Sequence, residues 1–120
     1  MVAKHIELGK KGEDLARRFL EGKAYVIIET NWRHEKDEID IIARENDELV
    51  IVEVKTRSTS FFGDPEDAVG PQKEEFLIRA TEAYLYENEL NIDTRFDIIS
   101  IILNNKEQKI RHIIDAFYPE

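Results

Sequence analysis

The chain has 120 residues, 42% of them hydrophobic and 36% charged, with no cysteine and a formal net charge of −9. Such a chain suits one folded domain over residues 1–120, and it excludes a disordered polymer, a disulfide scaffold and a thiolate metal site. No apolar run nears the ~20 residues of a membrane span and the start, MVAKHIELGKKGED, lacks the apolar stretch of a signal peptide, so a cytoplasmic protein away from membranes is expected.

Taken in chain order, residues 9–22 carry Leu15, Ala16, Phe19 and Leu20 at helical spacing, with Gly22 as a stop. Glu13 shares a face with Ala16 and Leu20, so an acid lies on the inward stripe. It either serves a site or pairs with Arg17 one turn on. Gly9, Gly12 and Ala16 would let another element come close. Lys10, Lys11, Arg17 and Arg18 form a basic helix face, for nucleic acid or for solvent. YVIIETNW (25–32) reads as a strand, with Trp32 half-buried, and HEKD (34–37) as a polar turn.

Two strands follow, residues 38–44 and 49–57, joined by a turn centred on Asn46-Asp47. That turn makes Ala43 face Val50, Ile41 face Val52 and Asp40 face Glu53. Ile39, Ile41, Ala43, Val50, Val52 and Val54 then share one apolar face. The other face is apolar near the turn and carries Asp40, Glu53, Lys55 and Arg57 at its open end.

Residues 58–70 hold Ser, Gly and Pro and read as a loop or short helical turn. Its Phe61 and Phe62 either stack on a base or tuck onto the core. A helix starts near Pro71, with Phe76, Leu77, Ala80, Tyr84 and Leu85 as its apolar face. Gln72 and Lys73 at its start could meet a phosphate or simply face solvent. RFDIISIIL (95–103) and residues 109–117 are the last strands. His5, His34 and His112 lack metal-ligand spacing and receive no role. The order is α-β-β-β-α-β-β, an α/β fold with a central mixed sheet flanked by helices.

Charge inside aliphatic strands is costly unless something compensates it. Two opposed carboxylates repel, and one would take up a proton unless a divalent cation joins them. Mg²⁺ or Mn²⁺ accepts such oxygen ligands together with water and phosphate. Asp40, Glu53 and a neighbouring Lys55 are thus a kit for metal-assisted phosphodiester hydrolysis, with Glu13 as a third carboxylate. The plain alternative is a solvated sheet face with Lys55 as an ion-pair partner.

Asp40, twelve intervening residues, and Glu53-Val54-Lys55 resemble the PD-(D/E)XK nuclease signature. GKKGEDLARRFL, NWR, DEIDIIA, LVIVEVKTR, FGDPEDAV with Lys73, and RFDII together resemble the YraN-type family of small predicted nucleases. That family is related in fold to archaeal Holliday junction resolvases. The resemblance implies a restriction-endonuclease-like fold and metal-dependent endonuclease activity on DNA, ahead of RNA, including branched or damaged DNA. It implies Asp40, Glu53 and Glu13 as metal ligands and Lys55 as the catalytic lysine. Arg57 and Lys73 match positions expected to touch nucleic acid, and Arg33, Lys10 and Gln72 join them as candidates. A two-fold junction would call for a homodimer. Asp37 stands where the family usually has Gly, and the acidic second half, with 6 Lys and Arg against 13 Asp and Glu, departs from a basic resolvase. Two other readings stay open: a nucleic-acid-binding module with little catalysis, and a protein-interaction domain.

Overall fold

A computed structural model of the chain describes residues 2–59 and 69–118. Helix α1 (Val2–Gly22) precedes strands β1 (Val26–His34), β2 (Asp37–Glu45) and β3 (Glu48–Arg57). Helix α2 (Pro71–Glu87) then leads to β4 (Asp93–Leu103) and β5 (Gln108–Phe117). The five strands make one sheet in the order β1-β2-β3-β4-β5, antiparallel except for the parallel β3–β4 pair. Parallel neighbours need a crossover connection, and the segment containing α2 supplies it. This is the expected α-β-β-β-α-β-β arrangement, with a mixed sheet between two helices. Phe61 and Phe62 lie outside the described residues.

The sheet is covered on both faces. Ala16 and Leu20 of α1 pack with Tyr25, Ile41, Ala43, Val50, Val52, Ile99 and Ile101. Leu77, Ala80 and Tyr84 of α2 pack with Ile39, Ile42, Leu49, Ile51 and Phe96. Strands buried on both sides read as near-continuous aliphatic runs, which explains IVEV and IISII. Each such side chain contributes about 1.5–3 kcal/mol by leaving water. Trp32 is half-buried and meets Tyr84 edge-on, ring centroids 5.2 Å apart.

Three details differ from the sequence reading. Helix α1 begins near residue 2 rather than 9 and runs through Gly22. Its reversal comes at Ala24, with φ 69°, and the Tyr25 N–H closes the end on Leu20 O at 3.0 Å. The polar turn at 34–37 narrows, because His34 and Asp37 already pair across β1 and β2. The two-residue turn at Asn46-Asp47 is as expected, with Asn46 at φ 53° and Glu45 opposite Glu48. Ile39, however, packs against α2 rather than sharing the α1 face with Ile41. The β2–β3 ladder ends at Ile41–Val52, and Asn31, between the pairs Thr30–Ile41 and Trp32–Ile39, is left-handed at φ 51°. Strand β2 leaves β3 there, so strict alternation does not continue through Asp40.

Candidate functional site

The parting of β2 and β3 frees backbone groups that the ladder would have paired. The Asp40 carboxylate fills the gap: its Oδ2 accepts the Val54 N–H at 2.8 Å. Ladder pairing therefore does not set Asp40 opposite Glu53 as the turn register implied, yet their carboxyl groups still come within hydrogen-bonding reach. Burial pushes the Asp40 carboxyl up to about 9, and the hydrogen bond and charge of Glu53 push the same way. The crowded pair thus favours holding a proton at neutral pH in the cation-free protein, with Asp40 the carboxyl that is pushed up.

Glu53 extends the α2 face of β3, two residues beyond Ile51, and its side chain is only 4% exposed. Lys73 Nζ, from the first turn of α2, lies 3.0 Å from Glu53 Oε2. The approach is not aligned as a hydrogen bond, and Oε2 has no hydrogen-bond partner although it is buried. Contact and charge place Lys73 here, but the oxygen keeps an open acceptor. Burial works against the Lys73 ammonium, and the charge of the Glu53 carboxylate 3.0 Å away outweighs it, so its pKa is raised.

Gly12 brings α1 down onto β3. A Cβ at that position would overlap the Thr56 side chain, so the approach requires glycine. Gly9, by contrast, has open space around it. The adjacent Glu13 hydrogen-bonds the Asn31 side chain. Burial raises its carboxyl, opposed by Asn31 and aided by the charges of Glu38 and Glu53. It does not pair with Arg17, which instead bonds Asp14 at 2.7 Å and Glu21 at 2.8 Å. An open cleft of about 300 Å³ has Lys10, Glu13, Asn31 and Asp40 in its wall.

Period-two spacing puts Lys55 and Arg57 on the Glu53 face of β3. Neither has a hydrogen bond or ion pair with another described residue, so Lys55 is not the partner of the carboxylates. Arg33 lies 3.8 Å from Glu38, a loose surface contact, and Gln72 is exposed beside Lys73. Asp37 is held by Arg79 through two 2.8 Å hydrogen bonds that tie β2 to α2. Those bonds, against a smaller desolvation, hold the Asp37 carboxyl below its usual range. Among the described residues, no three His, Asp or Glu side chains converge into a ready cation cage. A protonated carboxyl beside a buried carboxylate with an open oxygen nonetheless suits an ion that keeps several waters, as Mg²⁺ does.

A second buried cluster, on the α1 side, carried no functional assignment in the sequence reading. Arg95 grips Asp97 with two 2.9 Å bonds and also bonds Glu45 at 2.8 Å and the Tyr25 hydroxyl at 2.7 Å. His112 Nε2 lies 2.7 Å from Asp97 Oδ2, and the Asp115 N–H donates to Oδ1 at 3.0 Å. Burial would raise the Asp97 carboxyl, but hydrogen bonds from His112, Arg95 and Asp115 hold it down. Asp97 stands between Phe96 and Ile98 at the head of an aliphatic run, much as Asp40 and Glu53 stand in theirs, and that was the available signal.

Residues 12–101 match the family model described as "Uncharacterised protein family UPF0102". The chain belongs to the UPF0102 family. A UPF0102 protein of Flavobacterium psychrophilum is 52% identical over 117 residues, covering 98% of each chain. Those of Christiangramia forsetii and Bacteroides thetaiotaomicron are 50% and 47% identical, again over 98% of each chain. The UPF0102 match spans Glu13, Asp40, Glu53, Lys55 and Lys73, and it also spans Arg95 and Asp97. No helix among the described residues is long and apolar enough to cross a membrane.

Proposed function

We propose that this UPF0102 chain is a divalent-metal-dependent nuclease that hydrolyses phosphodiester bonds, in DNA ahead of RNA. The observation that carries the reading is the half-buried Asp40 beside the buried Glu53, whose Oε2 lacks a hydrogen bond among the described residues. A buried carboxylate oxygen left open is costly in a structural role, so it marks a place for a ligand. The resemblance of Asp40, Glu53 and Lys55 to the nuclease signature supports the same reading.

Asp40 and Glu53 would hold Mg²⁺ or Mn²⁺, with Glu13 as a third carboxylate. The ion would supply Lewis-acid polarisation of the phosphate and a more acidic water. The Val54 N–H would keep the Asp40 carboxylate aimed at the ion's place. Lys55, without an ion pair among the described residues, would orient the attacking water and stabilise charge that develops on the phosphate. Arg57, Lys10, Arg33 and Gln72 would serve as phosphate contacts, which position the strand without reading sequence.

Manganese binding and cleavage of linear and branched DNA and of RNA, by wild type, Asp40→Asn and Glu53→Gln, test the reading. The expected result is manganese-dependent cleavage that falls by about 10³-fold or more in either variant, several kcal/mol of lost stabilisation. Salt-dependent binding without cleavage by wild type would return the chain to a binding module. No manganese binding with or without DNA would remove the metal site altogether.

A further inference from the structure

The carboxylate site already contains a cation, the Lys73 ammonium, 3.0 Å from Glu53 Oε2. It faces the one buried side-chain oxygen that has no hydrogen bond among the described residues. We propose that Lys73 is a displaceable counter-ion: it occupies the side of Glu53 that the divalent cation takes, and it must swing away when the cation enters. This rests on the metal-site reading above.

Three features make displacement easier than retention. The contact lacks hydrogen-bond alignment, so little directional bonding is lost when it breaks. Lys73 is 38% exposed at the first turn of its helix, and a flexible four-carbon stem gives it room to move. Helix α2 does not depend on it, because Arg79 holds Asp37 through two bonds and Leu77, Ala80 and Tyr84 are buried in the core. Lys55 on the same strand face has no such pair. The two lysines are thus unequal: one guards the carboxylate and the other makes no ion pair among the described residues. The guarded site stays near charge balance until a divalent ion arrives, and the released ammonium is then free to meet a phosphate oxygen.

The consequence is a weakened affinity for the metal alone. Mn²⁺ binding by calorimetry, without nucleic acid, on wild type, Lys73→Gln, Lys73→Arg and Lys55→Gln tests it. Lys73→Gln should bind Mn²⁺ about tenfold more tightly, because the competing ammonium and its charge are gone. Lys73→Arg should stay within about threefold of wild type, and so should Lys55→Gln, which removes a charge but breaks no ion pair. The melting temperature of Lys73→Gln should also rise more on adding Mn²⁺ than that of wild type. Equal affinities in wild type and Lys73→Gln would overturn the counter-ion role and leave the metal site standing. Weaker binding in Lys73→Gln would overturn it as well. An equal tightening in Lys55→Gln would reduce the effect to general charge and overturn it too. No binding by any variant would overturn both this inference and the metal reading.

Discussion

Arg95–Asp97 and Asp40–Glu53 both set charge into aliphatic strands, on neighbouring parts of one sheet. Around Arg95, donors and acceptors match. The guanidinium meets Asp97, Glu45 and the Tyr25 hydroxyl, and Asp97 also meets His112 and a backbone N–H. A ring donating from Nε2 to Asp97 can accept at Nδ1 from Lys23, 3.1 Å away. Around Asp40, acceptors exceed donors. Two carboxyl groups crowd together, a third stands nearby, and one buried oxygen stays open. Buried charge alone therefore does not mark a site. A closed network builds the fold, whereas an unbalanced remainder leaves chemistry for a ligand.

The contrast can be broken by substitution. Arg95→Met should have the largest effect, because it leaves Asp97 buried without its main counter-charge. Loss of one partner of a buried pair costs about 3–5 kcal/mol, read as a lower urea midpoint. A cost below about 1 kcal/mol would mean the network is no more structural than a surface pair. Gly12→Val comes next. Its side chain would press into Thr56 and lift α1, costing about 1–3 kcal/mol. Manganese affinity should fall with it if Glu13 belongs to the site, and Thr56→Ala in the same chain should restore part of both.

Asp40→Asn should have the smallest effect on stability, and the opposite sign. The folded Asp40 carboxyl keeps its proton up to about 9, whereas its ordinary value is 3.8. Between those values the folded chain binds a proton that the unfolded chain has released, so cation-free stability falls as pH rises. Asparagine removes that loss, and at pH 8 the variant should gain on the order of 1 kcal/mol without metal. Urea unfolding from pH 5 to 9 checks it. A variant whose pH slope matches wild type would show that Asp40 is not the group holding the proton. Mn²⁺ should stabilise wild type and not the variant, which sharpens the difference from Arg95, where no cation is involved.

Much of this molecule follows from local pattern. Near-continuous aliphatic runs, a turn at Asn46-Asp47 and Pro71 at a helix start fix the strand order and most boundaries, because periodicity and turn chemistry act over a few residues. The candidate carboxylates were legible too, since acids in an aliphatic strand demand compensation. What compensates them was not legible. Lys73 is twenty residues from Glu53, and Lys55, two residues away, has no partner among the described residues. Asp97 gave the same signal as Asp40 and proved satisfied, because His112 of β5 reaches it and the Arg95 that grips it is met in turn by the Tyr25 hydroxyl. The departure of Ile39 from its expected face has the same origin: β2 leaves β3 after Ile41. Sequence determined which residues carry charge into the sheet. Tertiary structure decided which of those charges are balanced, because balance depends on partners that only packing brings within hydrogen-bond distance.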